Sequence, residues 1–158
     1  MTRTIRRRRL EAKTDYKTRL DLLASGKTRV VIRKTNRYII IQLVSSLNAQ
    51  DKVIFSTTSK VLLSKGWPKE KSGSLKSLQA AYLTGHIFGA SIKNKIKECI
   101  LDLGMQRNVK NSRVYASLKG IVESGLKIPH SSSILPPDDL IEANKSTLSI
   151  YKKIKQSP

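Results

Sequence analysis

The sequence predicts an α/β fold: a single mixed sheet, three antiparallel strands plus one crossover strand, covered by helices, with a basic N-terminal tail and an irregular C-terminal tail. Three observations predict it. Three runs rich in β-branched residues follow one another between residues 28 and 58, joined by connections short enough to make them antiparallel neighbours. A long stretch with apolar residues at helical spacing, 78–96, then leads into a fourth apolar run, so the helix can serve as a crossover that lays the last strand parallel to a neighbour. Arginines crowd the start, while Pro129, Pro136 and Pro137 interrupt the end.

The chain has 158 residues, the size of one ordinary domain, and 39% are hydrophobic, enough to bury a core. It divides into a basic tail (1–12), an α/β domain (13–125) and a C-terminal extension (126–158). The tail has too little apolar surface to pack and is expected to be mobile until bound. Residues 13–24 read as a helix, with Tyr16, Leu20 and Leu23 at helical spacing and Ser25-Gly26 as the stop. Residues 28–34 and 37–45 are strands around the turn Thr35-Asn36, and 52–58 is a third, entered through the turn Asn48 to Asp51. Residues 59–65 have room for one helical turn. Residues 66–77 read as a polar loop without periodicity that orders only on contact. In the long helix 78–96, Ala80, Leu83, Ile87 and Ala90 form one stripe, and Gly85 and Gly89 let it lie close on the sheet. Residues 97–103 are the fourth strand. Residues 112–124 form a helix with Val114, Leu118, Ile121 and Val122 on one face. The remainder lacks a strong period, apart from a short helix that Asp138-Asp139 can open and that runs to Asn144.

Charge is the outlier. Thirty-one Lys and Arg oppose eleven Asp and Glu, a formal net charge of +20 with a pI near 10.4. So large an excess repels itself unless a polyanion screens it. Residues 1–37 carry thirteen Lys and Arg against Glu11, Asp15 and Asp21. The turn Arg33-Lys34-Thr35-Asn36-Arg37-Tyr38 gathers three cations, a hydroxyl, an amide and an aromatic ring. Arg and Lys pair with phosphates, Thr and Asn reach ribose or base edges, and Tyr stacks on a base. Taken singly, Asn36 also reads as a turn former and Tyr38 as a strand residue; together the residues point to RNA. Arg6, Arg7, Arg8, Arg9, Lys13, Lys17 and Arg19 extend the basic surface.

Other chemistry is poorly supplied. Cys99 is the lone cysteine, and with only His86 and His130 it makes no zinc site, nor can it close an internal disulfide. The acids are scattered; Glu98 and Asp102 share a strand face, yet no early strand brings a carboxylate to meet them, so Asp102 is assigned a local hydrogen bond or ion pair. No phosphate-binding glycine loop or Ser–His–Asp set is present. No catalytic residue, metal, cofactor, membrane contact or small-molecule substrate is expected, and no targeting or membrane-spanning segment stands out, which places the chain in the cytoplasm.

Several stretches, in order over residues 6–137, resemble the eighteenth large-subunit ribosomal protein family in its archaeal form. They are Arg6-Arg7-Arg8-Arg9, Lys13-Thr14-Asp15-Tyr16, Ser25-Gly26-Lys27, Arg33-Lys34-Thr35-Asn36 with Tyr38, and Gly66-Trp67. Farther on come Ala80 to Gly85, Leu101-Asp102-Leu103-Gly104, Arg113-Val114, Leu118-Lys119-Gly120, Gly125 to Ser131, and Leu135-Pro136. The resemblance implies a non-enzymatic protein in the central protuberance of the large ribosomal subunit that binds 5S rRNA and attaches it to the large-subunit rRNA, beside neighbouring ribosomal proteins. It further implies RNA contacts at the N-terminal arginines, the Arg33–Tyr38 turn, Arg107, Lys110 and Arg113. Two stretches depart from the family pattern: residues 69–77 are richer in Lys and Ser, and the ending from Ile141 differs. The chain ends without the long extension of the eukaryotic members, which favours an archaeal source.

Overall fold

A computed structural model of the chain describes residues 4–96 and 98–156. Arg3 of the predicted tail, Lys97 of the predicted fourth strand and Ser157-Pro158 of the predicted extension lie outside the described residues.

After a single exposed turn, α1 (Arg7–Leu10), the chain enters α2 (Tyr16–Ala24) through an Asp15 cap whose carboxylate accepts from the amides of Lys17 and Thr18. The Ser25 hydroxyl donates to the Leu22 carbonyl, and Gly26 at φ +63° ends the helix, as the sequence predicts. The helix begins later than predicted because Asp15 supplies the cap. Its apolar stripe is not buried: Leu20 is 66% exposed.

The sheet has the order β3-β2-β1-β4, with β1 (Arg29–Lys34), β2 (Ile39–Leu47), β3 (Gln50–Thr58) and β4 (Ile100–Asp102). β1 runs antiparallel to β2, β2 antiparallel to β3, and β1 parallel to β4, the mixed sheet the sequence predicts. The β2–β3 connection is tighter than predicted. Asn48 and Ala49 both hold positive φ, at 50° and 63°, and so make a two-residue turn that matches the strand twist. β4 is shorter than predicted because Glu98 bridges instead to Lys127, whose carbonyl accepts from the Cys99 amide.

Helices α3 (Val61–Ser64), α4 (Leu78–Ile92), α5 (Arg113–Glu123), α6 (Asp138–Glu142) and α7 (Lys145–Gln156) complete the chain. Eleven of the fifteen α4 residues are buried, so α4 is an interior helix rather than an amphipathic cover. It meets β2 and β3 on one side, α5 on another and α6 and α7 on a third. The glycines serve a different neighbour from the one predicted. A Cβ on Gly85 would run into the Ser117 carbonyl of α5, one on Gly89 into Ser124, and one on Gly120 into the Tyr82 carbonyl of α4. The close approach is therefore helix to helix. α4 also stops at Ile92, short of the predicted 96, and Ile96 packs against the core as the chain turns toward β4.

Two segments predicted to be irregular are ordered. In 66–77, Trp67 and Leu75 are buried, and 3-10 turns broken by a kink at Lys71 run over Lys69–Lys76. The Trp67 indole donates to the Lys71 carbonyl and the Ser74 hydroxyl. Two apolar anchors among Gly, Ser, Lys and Glu are too few to set a period that the sequence could show. The C-terminal stretch was predicted irregular, yet α7 packs on α4 through Thr147, Tyr151 and Ile154, a helical i, i+4, i+7 spacing. The Thr147 hydroxyl donates to Gln79, and Gln79 donates to the Asn144 carbonyl. Leu126, Ile128 and Ile141 join the same core, and Lys119 ties the segment to α5 by donating to Pro136 and Asp138.

Candidate nucleic-acid interface

Alternation along β1 sends Val30 and Ile32 into the core and Arg29 and Arg33 to the opposite face. Arg29 is only 3% exposed there, and its guanidinium reaches Asp102 at 3.0 Å, Asp51 at 2.7 Å and Ser46 at 2.7 Å. Arg33 pairs with the other Asp102 oxygen at 2.8 Å and donates to the Asp102 and Ile32 carbonyls. Arg19 of α2 reaches the second Asp51 oxygen at 2.9 Å. The result is a line of alternating charge, Arg19–Asp51–Arg29–Asp102–Arg33, that crosses the sheet and tethers α2. Burial alone would raise the Asp51 carboxyl. The Ser46 hydroxyl, Arg19 and Arg29 outweigh it and hold Asp51 below its ordinary range. Asp102 thus has the ion-pairing role the sequence assigns it. Arg19 and Arg33, placed by the sequence among RNA-facing cations, have guanidiniums engaged within the fold. Glu98 is exposed beside Lys127, and Asp51 and Asp102 converge on a guanidinium. Among the described residues no group of three or more His, Cys, Asp or Glu could hold a metal ion.

The β1–β2 turn is self-supporting. The Thr35 hydroxyl donates to the Tyr38 carbonyl and accepts from the Tyr38 and Arg37 amides, which uses up its bonding, and Lys34, Asn36 and Arg37 are exposed. Tyr38 is half-buried, with the Lys60 ammonium 4.7 Å from its ring centre. Lys60 was not foreseen; only the pairing of β2 with β3 brings it beside Tyr38.

The turn does not stand alone. Lys34 shares a cleft of about 460 Å³ with Arg107 and Arg113, and among the described residues no acidic side chain lines it. The loop bearing Arg107 and exposed Lys110 is held in place. Gln106 donates to the Ile32 carbonyl, Tyr115 bonds Asn108, and the Asn111 amide donates to Ile134. β4 lies beside β1, so the loop that follows it emerges beside the β1–β2 turn. The topology thus gathers cations that are far apart in sequence.

The N-terminal arm forms a separate basic surface. Arg6 lies 4.7 Å from the Tyr16 ring centre, Arg8 donates to Thr14, and Arg7 and Lys13 sit near Glu11. All four arginines, Lys13 and Lys17 remain exposed. None of the described helices is long and apolar enough to cross a membrane.

A family model described as ribosomal large subunit proteins 60S L5 and 50S L18 matches residues 2–98 and 91–131. A protein of Korarchaeum cryptofilum named large ribosomal subunit protein uL18 is 48% identical over 136 residues, covering 85% of this chain and 68% of that one. The protein of that name from Methanosphaera stadtmanae is 44% identical over 136 residues, with the same coverage. The Methanoregula boonei protein is 39% identical over 157 residues, covering 95% of this chain and 88% of its own, so the likeness reaches into the C-terminal stretch.

Proposed function

The chain belongs to the family of large-subunit ribosomal proteins 60S L5 and 50S L18, and from that premise we propose that it binds 5S rRNA and attaches it to the large-subunit rRNA in the central protuberance. Its role is structural, as a component of the cytoplasmic large ribosomal subunit, and it is not an enzyme. Its partners are ribosomal RNA and other ribosomal proteins.

The observation that carries the RNA-binding surface is the convergence of Lys34, Arg107 and Arg113 on one acid-free cleft, next to the exposed Asn36 and Arg37. Cations held by a rigid sheet and a pinned loop meet phosphates at fixed spacing, which lets a protein select a folded RNA by shape. The exposed arginines of the N-terminal arm and Lys13 and Lys17 add affinity without fixed geometry. Arg19 and Arg33 act on RNA mainly through the surface they hold in place.

The test is competition binding of full-length protein to folded 5S rRNA and to an unrelated RNA of equal length, across a salt series. A clear preference for 5S rRNA is expected, and joint replacement of Lys34, Asn36, Arg107 and Arg113 by Ala should remove most of it. Equal affinity for both RNAs at moderate salt defeats the 5S assignment, and an unchanged preference in the fourfold variant defeats the surface.

A further inference from the structure

We infer that the cleft between the β1–β2 turn and the start of α5 is a pocket for a single unstacked nucleotide of an RNA strand, with the phosphate at the helix N-terminus and the base against the apolar wall. The inference rests on the RNA-binding surface proposed above and adds to it a ligand unit and its orientation.

Four features define the phosphate end. α5 has eleven residues, and its first internal bond runs from the Ala116 amide to the Ser112 carbonyl. The amides of Arg113, Val114 and Tyr115 therefore precede any helical acceptor and face outward from the helix start. Ser112 occupies the cap position, yet its side chain caps nothing. Its Oγ is buried and has no hydrogen-bonding partner among the described residues, although Ser112 lines the cleft. Buried hydroxyls are almost always paired, and this one lacks the partner that a ligand at the helix start could supply. Lys34, Arg107 and Arg113 bring three cations to the same space with no carboxylate to oppose them.

The cleft also carries apolar side chains. Leu78, Val109 and Val114 line it, and Val109 is 53% exposed in the middle of a polar, basic loop. About half of this side chain is left uncovered by the fold, and an unstacked base offers that half a flat apolar partner. A cleft of about 460 Å³ is adequate for one nucleotide, since small-molecule sites span roughly 300–1,000 Å³. Asn111, which also lines the cleft, supplies a side-chain amide for a base edge. A phosphate alone would use the cations and leave the apolar wall bare, which is why the pocket is assigned to a nucleotide.

The test is an NMR titration of the full-length protein with adenosine 5′-monophosphate, with inorganic phosphate and adenosine as separate probes. The nucleotide should give saturable shifts at the amides of Arg113 to Tyr115 and at the methyls of Val109 and Val114. Inorganic phosphate should move the amides only and bind about tenfold more weakly. Ser112→Ala, which removes no bond within the fold, should weaken nucleotide binding roughly threefold to tenfold, and Lys34→Ala with Arg107→Ala should abolish saturation. Nucleotide shifts confined to Arg6–Arg9, or methyls unmoved at saturation, overturn the pocket. Preference for 5S rRNA is read separately: a wild-type chain that takes the nucleotide but shows no such preference defeats the 5S reading alone, and a chain that prefers 5S rRNA but never saturates with the nucleotide defeats the pocket alone.

Discussion

A guanidinium withdrawn from water must find acceptors for its N–H groups, and Arg29 finds them in Asp51, Asp102 and Ser46. Removing it would leave two carboxylates facing each other without their shared cation. Breaking a buried pair by deleting one partner costs roughly 3–5 kcal/mol. Arg29→Met should therefore lower unfolding free energy by about 2 kcal/mol in urea titrations, part of the full cost being recovered because Asp51 keeps Arg19 and Asp102 keeps Arg33. A loss under about 0.5 kcal/mol, the ordinary surface range, would show that the charge line is ornamental. Nothing in the sequence marks Arg29, which reads as one more strand cation. Strand alternation fixes that Arg29 and Arg33 share a face, but acids on β3 and β4 become their neighbours only through pairing. His86 carries a second prediction at this scale. It stacks on Tyr82, and burial pushes its pKa below the ordinary 6.5; Glu123 opposes the shift, while Lys155 and Lys93 support it. The fold thus prefers the neutral ring. That contribution is complete above 6.5 and is lost as pH falls through the lowered folded value. Stability should decline on acidification below 6.5, and His86→Gln should flatten this part of the curve in thermal melts at stepped pH. An unchanged slope would assign the decline to other groups.

Helices α4 and α5 meet at backbone distance, and the glycines of both make this possible. A Cβ at position 120 would strike the Tyr82 carbonyl and the His86 amide, backbone atoms of a helix held from several sides. Gly120→Ala should cost about 1–3 kcal/mol, the usual penalty of overpacking, or roughly 2–12 °C in Tm for a chain of this size. Gly73→Ala, where an added Cβ meets nothing within 4 Å, is the control and should leave Tm nearly unchanged. Equal melting of both variants would refute the close packing. The four-residue spacing of Gly85 and Gly89 is plain in the sequence, and so is the need for a near neighbour. What it lacks is the neighbour's identity, because periodicity tells which face is small and not which element covers it. The same gap explains α7. Thr147, Tyr151 and Ile154 keep helical spacing, but three residues among lysines make a faint stripe until α4 is seen to present a surface for them. Strand order was more legible, since short turns allow only antiparallel neighbours and a helical crossover places β4 parallel to β1.

Across the whole molecule the fold sorts its cations into two groups. Arg19, Arg29 and Arg33 are balanced by Asp51 and Asp102, while Lys34, Arg37, Arg107 and Lys110 stand on the surface. The formal charge of +20 treats them alike, and so does the sequence, which marks the polyanion partner but not the residues that meet it. Salt dependence separates them. Each cation that neutralises a phosphate displaces condensed counterions, so log Kd rises with log salt in proportion to the number of such contacts, about 0.7–0.9 per contact on nucleic-acid strands. Replacing Arg107 by Ala should weaken binding to folded 5S rRNA and lower the slope by about one contact. Replacing Arg19 by Ala should leave the slope almost intact, because its charge is already spent on Asp51, while reducing thermal stability. The comparison needs only filter-binding isotherms at four or five salt concentrations and a melt of each variant. If both variants lower the slope equally, the line across the sheet is RNA-facing in the complex, and Arg19 must exchange Asp51 for phosphate on binding. If neither does, the cleft cations contact no phosphate and the affinity resides in the N-terminal arm, where Arg7→Ala and Arg8→Ala would then carry the slope.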